Sequence, residues 1–207
     1  IHVTTPEVYG STSGKIKENF NFNPSTPYAI SRAAMDIHLN KYFENFKLPI
    51  IFTRTANVYG PHQQLYRIVP KSLLSARMNK KIDLHGGGLS KRSFIFVDDA
   101  SEATYLISIK GKIGNTYHIS TNKIISIKNL VRKICRISKT KFEKLVNVSN
   151  ERIGKDHSYN LSSKKIKNEL NWRAKIDLET GIHKTLQWID KNIIYLSKEK
   201  LNYVHSK

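Results

Sequence analysis

Segments with strand character and segments with helix character alternate along about the first 110 residues of this chain. Residues 49–54 form a β-rich run without strict polar alternation, which is typical of a parallel strand covered on both faces. Thr26 and Pro27 supply a cap and a first-turn proline for a helix over about residues 28–46. This alternation predicts an α/β fold with a mainly parallel sheet.

The charge of the chain favours an anionic partner, since 35 Lys+Arg stand against 16 Asp+Glu, for a formal net charge of +19 in 207 residues. The lysines are dispersed along the chain, and the sequence has no zinc-finger spacing and no basic region followed by heptads. We therefore expect a lysine-rich surface without specific nucleic-acid binding. The alternative is nucleic-acid binding through the positively charged surface, which predicts an affinity that falls steeply as the salt concentration rises.

Three further classes of protein are disfavoured. No apolar run approaches the roughly 18 residues that cross a bilayer. The sequence shows no secretory signal, so we expect no membrane partner and a location in the cytoplasm. The single cysteine excludes a disulfide framework, and His85, His118 and His157 lack ligand spacing, so no metal site is predicted.

The helix predicted from about residue 28 carries Tyr28 and Arg32 one turn apart on the same face. A cation at that spacing favours tyrosinate, the form in which Tyr28 could act as a base. Taken alone, such a pair does not identify a catalytic site. Four further segments surround it in a fixed order, namely TTPEVYG at 4–10, TRTANVYGP at 53–61, RSFIFVDD at 92–99 and RIGKD at 152–156.

The order and spacing of these motifs, up to about residue 192, resemble the extended short-chain dehydrogenase/reductase family. Within it they look like the nucleotide-sugar 4,6-dehydratases, with dTDP-glucose 4,6-dehydratase as the nearest named activity. The resemblance implies NAD as cofactor and a nucleotide-diphosphate sugar as substrate. It also implies the C-terminal part of a Rossmann-like doubly wound parallel sheet, together with a small α/β substrate-binding lobe.

The same resemblance implies a domain division. The expected parts are the remainder of the NAD-binding domain at 1–60 and 90–125, the substrate lobe at 61–89 and 126–195, and a tail at 196–207. Trp172 and Trp188 are expected to anchor the lobe. The one glycine cluster, at 86–88, has no dinucleotide fingerprint around it. We therefore expect about 110 residues that carry the cofactor's pyrophosphate site to be missing before Ile1, which would expose the edge of the first strand.

By the family pattern, Tyr28 is the base that removes the proton of the sugar 4-hydroxyl while hydride passes from C4 to NAD. Arg32 replaces the family's usual lysine, keeps its positive charge and can hydrogen-bond ribose hydroxyls. Thr5 matches the threonine that hydrogen-bonds the sugar 4-oxygen. Glu7 matches the carboxylate that abstracts the C5 proton.

The same resemblance implies contacts of the substrate diphosphate and nucleotide with Asn57, Arg67, Arg92 and Arg152. Guanidinium groups suit a diphosphate, which agrees with the three arginines. Family members are usually homodimers that pair the Tyr28 helix with its neighbour in a four-helix bundle. A homodimer is therefore expected for the full-length protein, with a damaged interface in this chain.

Pro6 leaves alternatives open, because dTDP-glucose dehydratases carry at that position an aspartic acid that protonates the departing C6 hydroxyl. Glu7 could serve as both base and acid. Alternatively, the enzyme catalyses 4-epimerisation or decarboxylation, which need no acid at C6. A third alternative is a degenerate homologue that binds a nucleotide sugar without turnover.

Overall fold

The computed structural model describes residues 1–151 and 156–202. They form two compact units, each with its own apolar core. The first unit comprises residues 1–58, 90–125 and 156–175, and the second comprises residues 59–89, 126–151 and 176–202. None of the described helices has the length and apolar character needed to span a membrane.

The strands, in chain order, are β1 (His2–Thr4), β2 (Lys15–Ile16), β3 (Phe52–Thr55), β4 (Asn57–Tyr59), β5 (Ile82–His85), β6 (Lys91–Arg92), β7 (Phe94–Phe96), β8 (Thr116–Ile119), β9 (Ile125–Ser126), β10 (Val146–Ser149) and β11 (Asn160–Leu161). The helices are α1 (Pro27–Phe46), α2 (Ile68–Arg77), α3 (Val97–Lys110), α4 (Ile127–Ser138), α5 (Phe142–Leu145), α6 (Lys164–Leu170) and α7 (Leu178–Leu196). Two 3-10 turns, Pro6–Tyr9 and Gly86–Gly88, complete the described elements.

The first unit is built on a parallel sheet with strand order β1-β3-β8. The register places Thr4, Arg54 and His118 side by side across the three strands. Smaller ladders pair β4 with β7 and β2 with β11. The predicted α/β class and the parallel sheet are thus confirmed.

Helix α1 begins where the sequence predicts, because the Thr26 side chain accepts a hydrogen bond from the backbone N–H of Ala29 at 3.1 Å. Its buried positions are Ala29, Ala33 and Asp36. Since two of these are alanines, the helix backbone lies close to the 3-10 turn Pro6–Tyr9, which is named the Glu7 turn. The rest of α1 presents a mixed polar and apolar surface.

Residues 156–175 belong to the first unit, whereas the domain division that the resemblance implies assigns them to the substrate lobe. The physical reason is pairing and packing: β11 pairs with β2, and Trp172 is buried in one apolar cluster with Ile107 of α3 and Tyr117 of β8. Trp172 therefore stabilises the sheet unit and not the smaller lobe.

The second unit packs α2, α4 and α7 around the parallel pair β5-β10. Its core joins Leu84, Val131 and Cys135 with their apolar neighbours. At Gly88, which has φ +70°, a β-carbon would lie 2.8 Å from the backbone nitrogen of Lys128. This glycine allows close approach of α4 to the turn.

Candidate functional site

The predicted reacting residues follow the carboxyl ends of the parallel strands. Thr5 and Glu7 come directly after β1, and Asn57 comes two residues after the end of β3. In open α/β sheets, ligands bind at this edge, because the loops that leave the strands meet there. The sheet topology therefore places these residues at one edge of the first unit.

The turn that carries Glu7 is capped by Thr5, whose side-chain oxygen accepts a hydrogen bond from the Glu7 backbone N–H at 3.3 Å. Pro6 occupies the first position of this turn, where a missing N–H costs nothing. Pro6 is buried and has no ionisable group. The turn thus offers one carboxyl group, that of Glu7, which is half-buried.

Tyr28 and Arg32, one turn apart on α1, differ in their exposure and in their contacts with the protein. Tyr28 lies in the first turn of α1 with a side chain that is 54% exposed. Arg32 donates a hydrogen bond from Nη2 to the backbone carbonyl of Val3 in β1. The Nε of Arg32 is buried and has no hydrogen-bond partner within residues 1–151 and 156–202. Arg32 thus links α1 to the strand that leads into the Glu7 turn.

Packing holds the Glu7 turn beside α1. Val8 and Tyr9 of the turn share one buried apolar cluster with Ala33 of α1. Gly10, which ends the turn at φ +63°, lies so close to the backbone of Asn23 that a β-carbon would approach the Asn23 carbonyl oxygen to 2.1 Å. The Thr5–Glu7 pair and the Tyr28 helix are therefore adjacent in the folded unit.

Asn57 and Arg92 converge on a residue that the motifs did not single out, Tyr159. The hydroxyl of Tyr159 donates to Asn57 Oδ1 at 3.2 Å, and the Arg92 guanidinium carbon lies 4.3 Å from the centre of the Tyr159 ring. Arg92 Nη2 donates to the Asp156 carbonyl at 2.7 Å. Two predicted substrate residues are thus joined through one buried tyrosine.

Burial raises the pKa of Tyr159 to about 12, and the negative charge of Glu7 acts in the same direction. The positive charge of Arg92 opposes the rise. The phenol is therefore a neutral hydrogen-bond donor at physiological pH. The influence of Glu7 also links the carboxylate of the turn electrostatically to the Asn57–Arg92 cluster.

The sequence motifs do not predict Tyr159, because it stands three positions beyond the end of the RIGKD segment. One sequence feature points to Tyr159, which is an aromatic residue between polar neighbours directly before β11. The structure shows that this position is buried. Single-sequence patterns do not distinguish such a residue from an ordinary core aromatic.

Of the other two predicted arginines, the structure describes one. Arg67 precedes α2 in the second unit, with its guanidinium carbon 5.4 Å from the Tyr66 ring centre. Arg152 lies outside the described residues. Their predicted contacts with substrate phosphates therefore stay predictions.

The parallel sheet, with a Thr-x-Glu turn at its carboxyl edge beside a tyrosine-bearing helix, agrees with the comparisons, which identify the class of nucleotide-sugar epimerases and dehydratases of the short-chain dehydrogenase/reductase type. The family model described as GDP-mannose 4,6 dehydratase matches residues 1–185. The chain belongs to this family.

The relatives agree with that assignment. Human dTDP-D-glucose 4,6-dehydratase is 36% identical over 198 residues, which are 93% of this chain and 56% of the human protein. The crystal structure of dTDP-glucose 4,6-dehydratase from Bacillus anthracis in complex with NAD superposes with a TM-score of 0.88 at 32% identity, over 93% of this chain and 62% of that one. The Streptomyces venezuelae dTDP-glucose 4,6-dehydratase, also with NAD bound, gives a TM-score of 0.90 at 29% identity, over 94% and 60%.

The chain thus spans a little more than half the length of the curated human relative. The predicted membership of the short-chain dehydrogenase/reductase epimerase and dehydratase family is confirmed.

Proposed function

We propose that this chain belongs to an NAD-dependent nucleotide-sugar 4,6-dehydratase that acts on dTDP-glucose. The observation that carries the proposal is the Thr5–Glu7 turn packed beside the Tyr28 helix. The relatives named above support the choice of reaction, because the human protein and the two bacterial structures carry that name.

NAD, when bound, supplies the acceptor for the hydride from C4 and its donor to C6. Tyr28 and Arg32 are the residues of this chain that would hold it. They fit the role, since the Tyr28 side chain is exposed and the Nε of Arg32 has no protein partner in the described part of the chain. A guanidinium is also a suitable donor to ribose hydroxyls.

In the proposed reaction, Tyr28 removes the proton of the 4-hydroxyl as C4 becomes a ketone. Thr5 hydrogen-bonds the 4-oxygen. Glu7 then abstracts the C5 proton, which the neighbouring ketone has made acidic. Because Pro6 carries no proton, we assign to Glu7 the transfer of that proton to the departing C6 hydroxyl, which leaves as water. After hydride has returned to C6, Glu7, protonated again from solvent, gives a proton to C5, and Tyr28 releases the 4-hydroxyl proton to solvent.

The substrate diphosphate is proposed to meet Asn57 and Arg92 in the first unit and Arg67 and Arg152 elsewhere in the chain. Amide and guanidinium N–H groups are suitable donors to phosphate oxygens. The remaining surplus of positive charge is dispersed on the surface.

Pro6 also favours a second candidate. Reactions of this family that need no acid at C6, 4-epimerisation and decarboxylation, leave the position before Glu7 without a chemical task. A nucleotide-sugar binder without turnover is the remaining alternative.

The test is incubation of the full-length protein with NAD and dTDP-glucose. A 4-keto-6-deoxy product is expected, whereas a 4-epimer or a pentose product would contradict the dehydratase assignment. Glu7→Gln and Tyr28→Phe should each lower turnover by about 10²- to 10⁴-fold, the usual cost of losing a general base. Glu44→Gln and Tyr105→Phe change exposed residues of the same types and should leave turnover unaltered. Unchanged turnover in the first two variants would remove both catalytic roles.

We also propose that the full-length protein is a homodimer and that it is located in the cytoplasm. Sedimentation of the protein at several concentrations tests the first, and localisation of a tagged protein tests the second.

A further inference from the structure

Tyr159 is positioned to control the orientation of the Asn57 side chain. It is 4% exposed, and its hydroxyl lies 3.2 Å from Asn57 Oδ1. Asn57 is half-buried, and its Nδ2 makes no hydrogen bond to residues 1–151 or 156–202. The oxygen of the amide is therefore engaged, while its two N–H groups have no acceptor among the described residues.

A side-chain amide can present either an acceptor or two donors to a ligand, according to how it is rotated. The neutral phenol of Tyr159 donates its proton and so retains the carbonyl end of the amide. The donor end is then the end that remains for a ligand. Donors suit an anionic ligand, because phosphate oxygens accept hydrogen bonds.

The ring of Tyr159 acts on Arg92 as well. The guanidinium carbon lies 4.3 Å from the ring centre, within the range of cation–π attraction. Arg92 Nη1 and Nη2 are held by the carbonyls of His157 and Asp156 at 3.2 Å and 2.7 Å. The hydroxyl of Tyr159 interacts with Asn57 and with Arg92, whereas its ring contacts Arg92. A change at Tyr159 combined with a change at Asn57 therefore separates the effect on Asn57 from the effect on Arg92.

We propose that Tyr159 is a positioning residue that turns the N–H donors of Asn57 toward the ligand's diphosphate, so that the site selects a nucleoside diphosphate over a monophosphate. The inference rests on the proposed function, which assigns the diphosphate to Asn57. It adds a specificity role for a tyrosine outside the recognised motifs.

The test compares dTDP with dTMP, each measured by titration calorimetry on the unaltered protein and on four variants. Tyr159→Phe removes the hydroxyl and keeps the ring over Arg92. Asn57→Ser removes the amide, and the double variant combines both changes. Tyr117→Phe is the matched control. Tyr117 is also buried, but its hydroxyl donates to Glu169 at 2.9 Å and not to Asn57.

We expect Tyr159→Phe to weaken dTDP binding about 5- to 20-fold and dTMP binding less than twofold. Asn57→Ser should lower the preference for dTDP similarly, and the double variant should lose little more, because both changes remove the same interaction. Tyr117→Phe should leave the preference unaltered. The ratio of the two affinities is an internal control, since partial loss of folded protein reduces both alike.

A preference that stays within twofold in Tyr159→Phe while Asn57→Ser loses it would overturn the inference and leave the proposed function intact. An unchanged preference in both variants would also overturn it. Absence of dTDP binding by the unaltered protein would overturn the proposed function and this inference together.

Discussion

The guanidinium of Arg54 and the carboxylate of Asp36 form a fully buried ion pair, with Nη2 at 2.9 Å and Nε at 3.2 Å from the same carboxylate oxygen, Oδ2. Arg54 Nη1 also donates to the hydroxyl of Tyr9 at 2.7 Å. Asp36 lies on α1, the helix that carries Tyr28, and Tyr9 belongs to the Glu7 turn. Arg54 of β3 thus joins the two segments that carry the proposed reacting groups.

Removal of one member of this pair should destabilise the chain strongly. In Asp36→Leu the Arg54 charge stays in the interior without its counter-ion. In Arg54→Met the buried Asp36 carboxylate keeps only the hydrogen bond between its Oδ1 and His2 Nε2 at 2.9 Å. Each single change is expected to cost about 3–5 kcal/mol in the free energy of unfolding. Urea unfolding of the chain, followed by circular dichroism, measures the loss.

The double variant, Arg54→Met with Asp36→Leu, is the informative control. It removes both charges at once, so no uncompensated charge is buried, and it should be more stable than either single variant. If the double variant is instead as unstable as the sum of the two, the cost is lost packing and not an unpaired charge.

His118, next to Arg54 in the sheet register, predicts a pH dependence of stability. Burial, with a contribution from the Arg54 charge, lowers its pKa from 6.5 to about 3. Between these pH values the unfolded chain binds a proton that the folded chain does not. The stabilising contribution is therefore complete above about pH 6.5 and is lost as the pH falls toward 3, by at most about 1.4 kcal/mol per pH unit.

The measurement is the free energy of unfolding from pH 7 to pH 4, compared with that of His118→Gln. The comparison is needed because burial raises the pKa of Glu18, which acts in the opposite direction in the acid range. The slope of the unaltered chain should exceed that of the variant. Equal slopes would show that His118 takes up a proton in the folded state as readily as in the unfolded one.

Local signals accounted for much of the fold. The predicted helix over about residues 28–46 is observed as Pro27–Phe46, since a capping threonine and a first-turn proline act within a few residues of the helix start. The position of Trp172 was missed because its neighbours in the core, Ile107 and Tyr117, are more than 50 positions away in the sequence. Apolar periodicity does not specify which buried faces meet.

The candidate site divides in the same way. Thr5, Glu7 and Asn57 could be predicted from the resemblance of their motifs to those of the family, and the parallel strands that precede them place them at one edge of the sheet. Tyr159 could not, because its role depends on a hydrogen bond across 102 positions of chain to Asn57. The sequence also did not predict that Arg32 donates a hydrogen bond to the backbone carbonyl of Val3, in addition to its proposed hydrogen bonds to ribose hydroxyls.

Gly10 should be intolerant of a side chain for two separable reasons. Its φ of +63° disfavours residues with a β-carbon, and that carbon would approach the Asn23 carbonyl oxygen to 2.1 Å. Gly14 also has a positive φ, +95°, but its surroundings are open within 4 Å. Gly14→Ala therefore shows the backbone cost alone, about 1–2 kcal/mol.

We expect Gly10→Ala to lose at least about 1 kcal/mol more in unfolding free energy than Gly14→Ala, because backbone next to the Glu7 turn must shift as well. Urea unfolding of both variants under one set of conditions decides this. Equal losses would mean that the Gly10–Asn23 approach relaxes without cost.

Cys135 offers a probe of the second unit alone, because it is the single cysteine of the chain and lies in the apolar core of that unit. Burial raises the pKa of its thiol, with a smaller contribution from the charge of Glu143. Since the thiolate is the reactive form, both effects reduce its reactivity in addition to blocking access. Reaction with a disulfide reagent should therefore require opening of the α4 packing.

We expect Cys135 to react at least about a hundredfold more slowly in the native chain than in urea, which corresponds to an opening free energy of about 2.7 kcal/mol or more. A control variant, Cys135→Ser with Arg132→Cys, moves the thiol to an exposed position of the same helix and should react at the rate of a free thiol. If Cys135 reacts as fast as that control, the core of the second unit opens readily, and its packing contributes little to the stability of α4.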